Sequence, residues 1–154
     1  MNASTTSVPT PGLSGSVRGD TRPAAAASAA EVAGRLLLAL LFVLSGLGKL
    51  GAYSSTAAYM SATGVPGALL PAVIATELLG GLAIVLGWKT RVAALLMAGF
   101  SLLTALIFHN HLADQTQMIM FFKNISIAGG FLLLVAHGAG PLSLDGRAAK
   151  DGAS

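Results

Sequence analysis

Residues 69–88 read LLPAVIATELLGGLAIVLGW and contain one charged side chain, that of Glu77. A helix of this length, rising about 1.5 Å per residue, spans the hydrocarbon core of a bilayer, which is about 30 Å thick. A carboxyl group at that depth costs roughly 3 kcal/mol or more unless it is neutral, paired or next to water. We therefore predict that Glu77 has polar partners inside a bundle of helices, and we treat it as a candidate functional residue.

The composition of the whole chain indicates a membrane protein. Of its 154 residues, 54% are hydrophobic and 10% are charged, whereas soluble domains carry about 25% charged residues. The net charge of +3 comes from Lys and Arg spread along the chain, which favours anchoring at the membrane interface over nucleic-acid binding. There is no cysteine, so thiolate catalysis, disulfide exchange and cysteine-ligated metals are excluded, and we predict no metal site.

Hydropathy predicts an all-α fold, a bundle of four transmembrane helices at about residues 32–52, 69–88, 92–108 and 118–137. The spans must be helical because lipid offers no hydrogen-bond partners to an open backbone. Together they form a membrane domain at residues 32–144. Residues 1–31 are rich in Ser, Thr, Pro, Gly and Ala, which predicts a disordered tail, and residues 145–154 form a polar tail. A signal peptide is the alternative for the first segment, but its apolar character continues past Gly46.

The basic residues predict the orientation in the membrane. Lys49 and Lys123 would lie on one side, and the other seven Lys and Arg on the opposite side: Arg18, Arg22, Arg35, Lys89, Arg91, Arg147 and Lys150. Since cytoplasmic segments carry an excess of Lys and Arg, we predict that both termini are cytoplasmic. This topology places a set of polar residues in the outer half of the bundle: Lys49, Glu77, His109, His111, Lys123 and Asn124.

Each of these polar residues has a structural and a functional interpretation. Glu77 could form an ion pair with Lys49 or Lys123 that fixes the register of the helices, or it could bind a ligand or a proton. Either lysine could instead reach the interface. His109 and His111 are two residues apart and point in different directions on a helix, which is a poor arrangement for metal chelation, so they suit the interface better than a role in binding a metal or a proton.

Several motifs resemble those of the DoxX family of small four-helix membrane proteins. They are Gly-Leu-Gly-Lys-Leu at residues 46–50, Glu-Leu-Leu-Gly-Gly at 77–81, Arg-Val-Ala-Ala at 91–94 and Lys-Asn-Ile at 123–125, followed by the Gly pair at 129–130. The resemblance covers residues 33–144. It implies a bacterial inner-membrane protein, and it implies the membrane subunit of a quinone-linked redox complex, as in one branch of the family.

In that hypothesis Glu77, Lys49 and Lys123 are the catalytic candidates. Glu77 would exchange a proton with a quinone oxygen, and a lysine would stabilise developing negative charge. His109, His111 and Asn124 would complete a quinone pocket, with electrons coming from a partner protein. The alternatives are a non-enzymatic membrane scaffold or assembly factor, built on the glycine-rich helix faces, and a small-solute transporter. Partners would be the lipid bilayer and either other proteins or further copies of the chain.

Overall fold

The computed structural model describes residues 21–152, with side chains from residue 25 onward, and this part of the chain contains helices and no strand. The helices are α1 (Thr21–Gly51), α2 (Tyr53–Ala62), α3 (Leu70–Leu86), α4 (Thr90–Phe108), α5 (Gln115–His137) and α6 (Leu144–Asp151). A 3-10 turn at Gly67–Leu69 leads directly into α3. In the described residues, α1, α3 with its turn, α4 and α5 are long and apolar enough to cross a membrane. The predicted all-α, four-span fold is confirmed.

The first span begins earlier than predicted, whereas its end at Gly51 agrees with the prediction. The first helix begins at Thr21 instead of near residue 32, since the alanine-rich stretch before Glu31 has high helix propensity. The remainder of the predicted disordered tail, residues 1–20, lies outside the described residues. Residues 53–62, where the hydropathy pattern predicts no span, form α2. The polar C-terminal segment contains α6, whose N-cap Ser143 accepts a hydrogen bond from the Gly146 amide.

The four spans are arranged in two closely packed pairs. α1 packs along α3 and α4 packs along α5, while α3 and α4 are joined by a short turn and α1 touches α5 only slightly. Gly81 allows the close approach of α1 and α3, because a side chain there would meet Val43 and the carbonyl of Ala39. We call the end with α6 and the α3–α4 turn the terminal side, and the end with α2 and the α4–α5 connection the opposite side.

The main apolar core lies between all four spans. Phe42 of α1 is its centre, with ring centroids 5.5 Å from Phe131 and 6.3 Å from Phe100. Met97 and Ile84 are fully buried in the same cluster. Most leucines of the spans face outward, as expected where lipid and not water covers the surface of the bundle. A smaller cluster packs α2 onto the start of α3.

The terminal side is held by polar contacts across the chain. Asp145 accepts hydrogen bonds of 2.8 Å from the amides of Lys89 and Thr90, so a side chain of α6 caps the start of α4. Partial burial acts to raise the pKa of Asp145, but the hydrogen bonds from Thr90 and Lys89 and the charge of Arg35 outweigh it, and the pKa lies below its ordinary value. Arg35, expected at the interface, is 2% exposed and donates to the Leu142 carbonyl at 2.6 Å.

Candidate functional site

Glu77 lies on α3, is 4% exposed, and its carboxylate meets two side chains of α1. Lys49 Nζ donates to Glu77 Oε1 at 2.8 Å, and Ser45 Oγ donates to the same oxygen at 3.1 Å. Lys49 also donates to Ser45 Oγ at 2.6 Å. Ser45 and Lys49 are four residues apart and therefore share one helix face. The three side chains form a closed triangle between α1 and α3.

The two oxygens of the Glu77 carboxylate differ in their surroundings. Oε1 accepts both hydrogen bonds, whereas Oε2 is buried and has no hydrogen-bond partner among the described residues. An ionised carboxylate has about four acceptor positions on its two oxygens, so a large part of its capacity is unused. A buried acceptor without a partner costs about 1–3 kcal/mol. A ligand that donates a hydrogen bond to Oε2 would recover that cost.

A cavity of about 320 Å³ lies beside this triangle. A volume of this size is about ten times that of one water molecule and is at the lower end of small-molecule pockets. Its walls come from α1, α2, α3, α4 and α5 and are mostly apolar and aromatic: Leu41, Phe42, Tyr59, Met60, Val73, Phe100, Phe108, Met120 and Ile127, with the polar Ser45, Lys49, Thr56, Glu77, Thr104, His109, Lys123 and Asn124.

The cavity brings together five of the residues singled out in the sequence, namely Glu77, Lys49, Lys123, His109 and Asn124. Lys49 is the lysine that pairs with Glu77. Lys123 lines the cavity from α5, and within residues 21–152 it forms no ion pair. The roles predicted for these side chains stay predictions, but their proximity is what a common pocket requires.

The remaining polar candidates are arranged as follows. His109 Nδ1 lies 2.8 Å from Gln117 Oε1, which fixes the imidazole at the end of α4. The Asn124 amide donates to the carbonyl of Met120 on its own helix at 2.9 Å. His111 is exposed and does not line the cavity. Its predicted place in the pocket therefore differs from its position in the structure, because α4 ends at Phe108 and His111 lies in the exposed connection to α5.

Helix α2 contributes residues that the sequence did not point to. Thr56, Tyr59 and Met60 line the cavity, and the Tyr59 ring stacks on Phe108 with centroids 5.8 Å apart. Met60 is 3% exposed and packs under the start of α3. The available signal was an aromatic and a methionine in an uncharged connection between two spans, next to the turn residue Gly64.

The arrangement suits a small molecule with a flat apolar body and polar oxygens. Aromatic and aliphatic walls cover the body, while Glu77 can accept or hold a proton at one edge. Lys49 keeps the carboxyl group in place by its ion pair. Within the described residues, no group of three or more His, Asp or Glu lies close enough to hold a metal ion.

The sequence of the chain is similar to those of known proteins. The family model named DoxX matches residues 30–110. The inner membrane protein YqjF of Escherichia coli K12 is 50% identical over 111 residues, which cover 72% of this chain and 85% of YqjF. The inner membrane protein YphA of the same organism is 41% identical over 121 residues, covering 73% of this chain and 86% of YphA. No solved structure matches the chain.

Proposed function

The chain belongs to the DoxX family of integral inner-membrane proteins, and on that premise we propose that it is the quinone-binding membrane subunit of a redox complex. The observation that carries the proposal is that Oε2 of Glu77, at the wall of a cavity with aromatic side chains, has no hydrogen-bond partner among the described residues. A benzoquinone ring is flat and apolar, with oxygens at its edges. The ring matches the walls of the cavity. In the reduced form, the quinol, a ring hydroxyl can donate a hydrogen bond to Oε2 of Glu77, which the carbonyl of the oxidised ring cannot do.

When bound, the quinone supplies the redox chemistry, since it takes two electrons from a redox-active partner protein and two protons to give the quinol. The two protons come from the aqueous phase, and this chain would position one of them. Glu77 would hold one at the ring oxygen, and its ion pair with Lys49 would keep the carboxyl group oriented. His109 lines the cavity near the opposite side of the bundle and would exchange the proton with solvent.

The experiment is purification in lipid discs followed by extraction and mass spectrometry of bound quinone. Under reducing conditions wild type should retain the quinol, and Glu77→Gln should bind it about tenfold more weakly, because a hydrogen bond from the quinol hydroxyl to a charged carboxylate contributes about 1.5–3 kcal/mol. Thr76→Val is the matched control, since Thr76 is the adjacent residue, donates back to the Ala72 carbonyl and does not line the cavity.

The control separates a specific effect from a general loss of structure. Thr76→Val should retain as much quinone as wild type. Equal retention by wild type and Glu77→Gln would contradict the proposal. If that result came with a stoichiometric protein partner that co-purifies with both, it would favour the scaffold alternative instead.

We also propose that both termini face the cytoplasm, which puts the cavity in the outer half of the membrane. The support is the excess of basic residues on the terminal side. Because the chain has no cysteine, single-cysteine variants report the topology cleanly. A cysteine at Leu112 should react with a membrane-impermeant maleimide in intact cells, and one at Asp151 should react only after lysis. The reverse pattern would overturn the orientation.

A further inference from the structure

An open groove of about 660 Å³ runs along the seam between α1 and α5, where the two helices barely touch. From Ala30 to Leu41 it extends along α1 for roughly 16 Å, at about 1.5 Å per residue. Its lining is mostly apolar or small, with polar residues at its terminal-side end: Ala30, Glu31, Gly34, Arg35, Leu37, Leu38, Leu41, Ile127, Gly130, Leu133, Leu134, His137 and Gly138.

The groove adjoins the cavity that contains Glu77. Leu41 of α1 and Ile127 of α5 line both spaces, so these two side chains form the partition between them. Leu41 is exposed and Ile127 is only half-buried. No layer of buried core separates the cavity from the groove at this point. A chain-like group could pass between the two side chains by rotation about their side-chain bonds.

We propose that the groove holds the hydrocarbon tail of the ligand whose ring occupies the cavity, and that the ligand enters sideways from the bilayer between α1 and α5. This inference rests on the proposed function and narrows its ligand to a quinone with a long isoprenoid tail. The cavity, at about 320 Å³, has room for a ring and little more. A tail attached to that ring must leave the cavity, and the Leu41–Ile127 partition leads along an apolar path.

Entry from the side of the bilayer also requires two helices that can separate easily, and α1 and α5 make few contacts with each other. α1 is fixed to α3 and α5 is fixed to α4 by extensive packing, so a small rotation of one pair about its α3–α4 contact with the other opens the α1–α5 seam. The ring would then reach Glu77 without crossing water. The occupant that competes with the tail is an ordinary lipid acyl chain, and the experiment must distinguish the two.

The test uses two neighbouring leucines of α5. Leu133 lines the groove and is 63% exposed, while Leu132 is 50% exposed and does not line it. Leu133→Trp fills the groove, and Leu132→Trp is the matched control on the lipid-facing surface. Neither side chain belongs to the buried core, so both variants should fold.

Binding is measured in lipid discs under reducing conditions with two probes, a benzoquinol carrying a single isoprene unit and its long-tailed counterpart. Affinities are expressed per mole fraction in the membrane, which removes the difference in partitioning. For wild type and Leu132→Trp, the long-tailed probe should bind about fivefold more tightly, a modest factor because packing in the groove replaces similar packing in lipid. Leu133→Trp should abolish that difference and leave the short-tailed probe unaffected.

The outcomes separate this inference from the proposed function. If the short-tailed probe binds and depends on Glu77, but tail length and Leu133→Trp have no effect, the groove belongs to bulk lipid and the inference is wrong. If Leu132→Trp weakens long-tail binding as much as Leu133→Trp does, the inference is also wrong. If neither probe binds wild type, the proposed function itself fails.

Discussion

Replacement of Lys49 by Met tests the polar triangle most directly. The change removes a 2.8 Å charge-assisted hydrogen bond from Oε1 of Glu77 and leaves a carboxyl group that is 4% exposed with Ser45 as its remaining donor. Breaking a fully buried ion pair costs about 3–5 kcal/mol. The Lys49 side chain is 24% exposed, so part of its charge is already screened, and we expect Lys49→Met to lower the free energy of unfolding by about 2 kcal/mol.

The measurement is the free energy of unfolding in mixed micelles, from a titration with denaturing detergent followed by far-ultraviolet circular dichroism. Glu77→Gln should cost less than Lys49→Met, because the freed lysine can extend toward the interface whereas the freed carboxyl group cannot leave the bundle. The double variant should recover to within about 1 kcal/mol of wild type, since it leaves no unpaired charge. Lys123→Met, which breaks no ion pair among the described residues, should change stability by less than about 0.5 kcal/mol. A double variant no more stable than Lys49→Met would refute the reasoning.

Three further predictions concern the rest of the fold. Asp145→Asn should destabilise the protein by about 1 kcal/mol at neutral pH through loss of the α4 cap. The folded-state pKa of Asp145 is lowered. Its contribution is therefore full above the unfolded pKa of about 3.9, and the difference in stability between wild type and variant should shrink as the pH falls below that value and through the folded pKa. Gly87→Ala should lower the free energy of thermal unfolding by about 2 kcal/mol or more, because φ is 65° and the new methyl group would meet Arg35. Gly129→Ala is the control, since a methyl group there meets no other atom. It should be neutral or stabilise the protein by up to about 1 kcal/mol. Tyr59→Ala should speed hydrogen exchange in α2, whose ring contact with α4 it removes.

The spans could be predicted from the sequence because the bilayer constrains each segment separately, whatever its neighbours are. Length, hydropathy and the exclusion of charge are properties of a segment by itself. The depth of Glu77 also followed from the sequence, and it limited the possible partners to Lys49 and Lys123. The choice between them depends on helix rotation and pairing, because α3 packs on α1 while α5 packs on α4. Periodicity within each helix does not determine which face meets which neighbour.

The elements missed by sequence reasoning depend on distant contacts. Helix α2 has no clear apolar stripe, and it is held by Met60 packing against Leu70 and Ile74. The cap of α4 comes from Asp145, 55 residues further along the chain, where a polar tail was the natural interpretation. Arg35 was taken as an interfacial anchor for the same reason. Its burial follows from the segment around Leu142, which folds back under the bundle and accepts its hydrogen bond.

The distribution of these contacts explains how a small bundle can contain a cavity. On the terminal side, Asp145 and Arg35 connect the C-terminal segment to α4 and α1, and the main core around Phe42 joins all four spans. On the opposite side, the cavity replaces part of the core, so α1 and α3 depend there on the Lys49–Glu77 pair and on the small cluster under α2. Loss of the pair should therefore loosen the cavity end before the terminal end. In Lys49→Met, backbone amide hydrogens should exchange faster in α2 and in the last turns of α1, while exchange in the α3–α4 turn should not change. A uniform increase along all four spans would mean that the two ends unfold as one unit.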